Sequence, residues 1–177
     1  MNKFLYYLIV ALRVLVAPLV FIWPLLSVIL SFFLDVIDIE FASRRVLTLS
    51  KYERYDKALD TWWYINVMIF AWFQMPNYRY ILLILFVFRT IGEMIFFIKN
   101  DRRIFFLFPN FFENIFFLIF FSIYFKPLHF LLSEKYIYFS LSVVIIAKIF
   151  QEWWVHIALI SIPEYFFGKK RKWRKRK

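Results

Sequence analysis

Between Phe4 and Leu34 the chain carries a single charge, Arg13, and two prolines, Pro18 and Pro24, in an otherwise apolar run. A helix that is apolar on every side must be buried in a core or in a bilayer. One helix over these residues would be about 46 Å long at 1.5 Å per residue, well beyond a hydrocarbon core of ~30 Å. We therefore read two short helices, residues 4–22 and 25–41, turning at Trp23-Pro24. A single kinked helix over residues 4–34 is the alternative.

The rest of the chain repeats the theme. Of its 177 residues 63% are hydrophobic and the mean hydropathy is +0.66, a membrane composition. The third span is expected from Tyr55 to Gln74, closed by a turn at Met75-Pro76-Asn77, and the fourth from Tyr80 to Ile98. The fifth starts near Pro109, a residue favoured in the first turn, and ends at Phe125; the sixth runs from Tyr136 to Phe167. The expected fold is all-α, a polytopic membrane helix bundle of about six transmembrane helices at ~20 residues each, or five if the first run is one helix. It forms a single domain over residues 1–168, followed by a basic tail, residues 169–177. No cleavable signal peptide is expected, because the first run is too long and lacks a small-residue cleavage site after it.

Charge orients this bundle. The net charge is +11, which in a soluble chain would point to nucleic acid. Here the cations lie outside the spans, so anionic lipid is the expected counter-charge and no nucleic-acid partner is expected. With the loop between residues 35 and 60 placed inside, that side holds seventeen Lys and Arg, against Arg79, Lys126 and Lys135 on the other. The positive-inside rule then sets a multi-pass protein with this loop and the C-terminus in the cytoplasm. Several chemistries are excluded. Cysteine is absent, so there are no disulfides, thiolate metal sites or cysteine nucleophile. The only glycines are Gly92 and Gly168, so no glycine-rich phosphate loop exists. His129 and His156 have no metal-ligand companion and read as structural. Arg89 and Glu93, and Lys148, Glu152 and His156, are spaced four apart and read as intrahelical ion pairs that let charge sit among helices.

The chemistry concentrates in residues 35–60, DVIDIEFASRRVLTLSKYERYDKALD. Asp35 and Asp38 end one apolar run; Asp56 and Asp60 begin the next. Spacings of three and four place each pair on one helix face. Carboxylates at membrane depth are costly and read as functional with a partner to be named. Hard divalent cations, which take carboxylate oxygens, are the natural partner.

This stretch resembles the signature of the CDP-alcohol phosphatidyltransferases, D-x2-D-G-x2-A-R-x8-G-x3-D-x3-D. The four aspartates fall on Asp35, Asp38, Asp56 and Asp60 without a gap, and the alanine on Ala42. Ile39 and Tyr52 stand at the two glycine positions and Ser43 at the arginine, with Arg44 and Arg45 directly after. The segment Leu12 to Pro18 is similar to the family's first helix. The resemblance implies a transferase that moves a phospho-alcohol group from a CDP-linked lipid donor to a small alcohol acceptor, releasing CMP, in phospholipid biosynthesis. It implies Mg²⁺ or Mn²⁺, two ions, held by Asp35, Asp38, Asp56 and Asp60, with Asp60 also the base that takes the acceptor's proton. Arg44 stands in for the displaced arginine and, with Arg13, would bind phosphate. The family also implies a homodimer. Two other readings stay open: a membrane protein that kept the metal site but uses another donor, and a non-catalytic lipid-binding scaffold.

Overall fold

The computed structural model describes residues 2–44 and 46–158. Arg45, the end of the sixth expected span and the basic tail lie outside them, as does the side chain of His156. The described residues are mostly helical, with no strand among them, and divide into two compact units, residues 2–79 and 80–158.

In the first unit, α1 (Asn2–Val16) runs into a 3₁₀ turn (Ala17–Phe21), α2 is Pro24–Ala42 and α3 is Leu49–Gln74. Pro18 opens the 3₁₀ turn and Pro24 opens α2, positions where the missing N–H costs nothing. Trp23 between them leaves the helical region, with φ −130° and ψ 74°. The chain reverses there: the buried Ser27 hydroxyl donates to the Val16 carbonyl at 2.7 Å, and α2 packs back along α1. Residues 4–34 are therefore two helices and not one.

α3 starts at Leu49, six residues ahead of the apolar boundary at Tyr55. Thr48 is the reason: its hydroxyl accepts from the Lys51 amide and caps the first turn. The link from α2 to α3 is held by a small core of Tyr6, Ala42, Val46, Leu47 and Tyr52, which ties the turn to the start of α1. Further along, the Trp62 indole donates to the Val14 carbonyl at 3.0 Å and joins α3 to α1. These contacts fix three helices around one point.

In the second unit, α4 (Arg79–Lys99) ends at Asn100, whose φ of 55° is a left-handed stop that Asn tolerates. A one-turn helix, α5 (Ile104–Leu107), follows in a stretch to which the sequence assigned no element; α6 is Phe111–Tyr124 and α7 is Ile137–Glu152. A 3₁₀ turn (Lys126–Leu132) joins α6 to α7, and a π-helical turn, Trp153–Ile157, extends α7. Pro109 is not in the first turn of α6. Asn110 is the cap: its side chain accepts from the Glu113 amide at 3.3 Å and donates to the Glu113 carboxylate at 2.6 Å.

The buried charges of this unit hold that break. Arg89 pairs with Glu93 at 3.2 Å, donates to the Phe108 carbonyl at 2.9 Å and lies over the Phe105 ring. Lys148 pairs with Glu152 at 2.9 Å, and Glu152 accepts from the Asn110 amide at 3.3 Å. The i,i+4 pairs thus also satisfy main-chain groups that the short α5–α6 link leaves without helical partners. Gly92 makes the close approach possible, since a methyl group there would overlap the Phe108 side chain. Gly92→Ala is expected to destabilise the protein by about 1–3 kcal/mol through overpacking. Unfolding of the detergent-solubilised protein measures this, and unchanged stability would mean that Phe108 moves aside freely.

Among the described residues three stretches are long and apolar enough to cross a membrane: Lys3–Phe21, Arg79–Lys99 and Ile137–Val155; the apolar α6 is shorter. α2 carries Asp35, Asp38 and Glu40 in its last turns, and α3 carries its charges in its first turns. Neither helix is among these three stretches.

Candidate functional site

The late turns of α2 bring Asp35 and Asp38, and the early turns of α3 bring Tyr52, Asp56, Lys57 and Asp60, to the face of α1 that carries Arg13. The Arg13 guanidinium is the centre. Its Nη2 lies 2.8 Å from Asp35 Oδ1 and 2.8 Å from Asp60 Oδ1. Its Nη1 donates to Asp38 Oδ2 and reaches Asp56 Oδ1 at 3.3 Å. A planar fork with several N–H donors suits this arrangement, which a lysine ammonium would not reproduce. Arg13 is only 7% exposed and Asp38 1%, while Asp35 at 50% opens the cluster to its surroundings.

Two further side chains complete it. Lys57 Nζ bridges Asp56 Oδ2 at 2.9 Å and Asp60 Oδ2 at 2.5 Å. The Tyr52 hydroxyl donates to Asp38 Oδ1 at 2.8 Å. Burial, together with the negative charges of Asp56, Asp38 and Asp35, raises the Tyr52 pKa well above its ordinary value, so the hydroxyl keeps its proton and remains a donor.

Asp35, Asp38 and Asp56 each present one carboxylate oxygen, and the three oxygens lie within 4.8 Å of one another. Oxygens that share one hard cation at 2.0–2.6 Å are separated by at most ~4–5 Å, so this donor set fits a divalent ion in spacing and in chemistry. Charge points the same way. Arg13 and Lys57 pair with the four carboxylates among the described residues, and carboxylates at membrane depth call for a cationic partner.

Four of the sequence-derived candidates around Asp35–Asp60, the aspartates themselves, thus meet at one place, and Arg13 joins them. Arg44 does not: it pairs with Glu40 at 3.1 Å and lies over the Phe41 ring, with about half of its side chain exposed. Lys57 and Tyr52 were missed as site residues. Lys57 read as one more cation of a basic loop, although its place between Asp56 and Asp60 was the available signal. Tyr52 read only as a replaced glycine. No family model, curated protein or solved structure matches the chain.

Proposed function

We propose that the chain is a metal-dependent membrane transferase of the CDP-alcohol phosphatidyltransferase kind. It moves a phospho-alcohol group from a CDP-linked lipid to an acceptor alcohol and releases CMP. What carries the reading is the convergence of Asp35, Asp38, Asp56 and Asp60, the four aspartates of the signature, on the Arg13 guanidinium between α1, α2 and α3.

Asp35, Asp38 and Asp56 would hold the metal. Mg²⁺ or Mn²⁺, as one ion or two, would screen the diphosphate and the charge developing on the leaving CMP. Asp60 stands beside this trio, held by Arg13 and Lys57, and would accept the acceptor hydroxyl's proton. The acceptor oxygen then bonds to the phosphorus of the lipid phosphate, the bond from that phosphorus to the oxygen retained by CMP breaks, and the electron pair leaves with CMP. Tyr52 fixes the rotamer of Asp38 through its hydrogen bond. In this reading α1, α2, α3, α4, α6 and α7 form six spans, the excess of Lys and Arg places the site and the tail in the cytoplasm, and the tail lies on anionic lipid.

One observation favours a second reading. Tyr52 fills a signature glycine position with a buried side chain bonded to Asp38, which suits a donor other than a CDP-linked lipid. The experiment separates the two. Purified protein, CDP-diacylglycerol, Mg²⁺ or Mn²⁺ and a panel of polyol phosphates, serine and inositol should release CMP, and chelation should stop it. Metal binding without CMP release from any acceptor would support the second reading, and absence of both would remove the enzyme assignment.

A further inference from the structure

We propose that Arg13 is the site's own cation, and that a divalent ion enters the aspartate cluster by displacing it. The inference rests on the metal-site reading above and concerns how that site is regulated.

Every carboxylate of the cluster is in contact with the Arg13 guanidinium. Nη1 lies between Asp38 and Asp56, two of the three residues whose oxygens come within 4.8 Å of one another. It therefore takes the lone pairs that a metal would need. The remaining oxygens of Asp38, Asp56 and Asp60 are engaged as well, by Tyr52 on Asp38 and by Lys57 on Asp56 and Asp60.

A divalent ion bonds carboxylate oxygen at ~2.0–2.6 Å, closer than a guanidinium nitrogen approaches. The two cations cannot share the same lone pairs, and like charges side by side in a poorly solvated site repel strongly. One of them has to leave. Arg13 sits on a long flexible stem, so its head can move while α1 stays in place. Two consequences follow. The cluster is assembled and neutralised in part before any ion arrives, so folding does not wait for metal. The ion's affinity is lowered by the free energy needed to expel the guanidinium, so removing that guanidinium should raise it.

The test uses the full-length protein in detergent micelles with Mn²⁺ alone as the probe, free Mn²⁺ being read by electron paramagnetic resonance. The variants are Arg13→Gln, Arg13→Lys and Asp38→Asn. Arg13→Gln should bind Mn²⁺ at least about tenfold more tightly than the wild type, a modest share of the repulsion expected between such charges. Arg13→Lys keeps the charge and should gain far less, and Asp38→Asn should lose binding. Thermal unfolding provides the second measurement. Without metal, Arg13→Gln should melt lower than the wild type, and Mn²⁺ should restore it by a larger increment than it gives the wild type. Binding in Arg13→Gln with none in the wild type would be the extreme form of the expected result. Binding that depends on Asp38 but is equal or weaker in Arg13→Gln would overturn the displacement while leaving the metal site standing. No Mn²⁺ binding by any variant would overturn the metal site, and the proposal with it.

Discussion

Asp60→Asn should lower CMP release by about 10²–10⁴-fold, the usual contribution of a positioned general base, while Mn²⁺ binding changes little. The trio with mutually close oxygens is Asp35, Asp38 and Asp56. Asp60 lies on the other terminal nitrogen of Arg13 and shares Lys57 with Asp56. The amide keeps the shape of the carboxylate and its single oxygen can still accept from Arg13 or from Lys57, though not from both, so the fold should hold with a modest loss of stability. What it loses is the ability to take a proton. Turnover and metal affinity measured on the same preparation decide the matter. Unchanged turnover would take Asp60 out of the mechanism, and an equal fall in both quantities would make it a ligand instead of a base.

A second large effect is expected in the other unit. Arg89→Leu would leave Glu93 buried beside an apolar side chain and strip the Phe108 carbonyl of a donor. Breaking one side of a buried ion pair costs about 3–5 kcal/mol. Replacing both residues, Arg89→Leu with Glu93→Leu, removes the stranded charge as well, so the double variant should be the more stable of the two. Chemical unfolding of wild type, both single variants and the double variant forms the cycle. A double variant that loses the sum of the single effects would show that the two side chains act independently.

The parts of this structure that could be read from sequence are those written in local chemistry. Trp23-Pro24 broke the first apolar run where expected, because proline at the first helical position both starts a helix and forbids its continuation backwards. The paired aspartates met because spacings of three and four leave little choice of face. Hydropathy was a poorer guide where a cap intervened. Thr48 starts α3 in a polar segment that no hydropathy argument reaches, and Asn110, not Pro109, sets the start of α6. The turn of α5 was hidden because Ile104 to Leu107 is too short to show a period. Long-range pairings were harder still. Nothing near Arg13 in sequence says that it meets residues 22 to 47 positions later, and Glu152 and Asn110, 42 residues apart, give no local sign of contact.

The order of synthesis gives these separations another meaning. At about 5–20 residues per second, Arg13 leaves the ribosome roughly one to nine seconds before the aspartates that will surround it. A lone arginine at the centre of a membrane helix costs about 2.5–3.5 kcal/mol to insert. The rest of Lys3–Phe21 is apolar enough to cross a membrane with that charge in it, so the cost falls on how well the arginine is accommodated and not on whether the helix can enter. Asp35 and Asp38, with Asp56 and Asp60 after them, reach Arg13 only once α2 and α3 have been made, so the first helix's charge is the last of these partners to be satisfied.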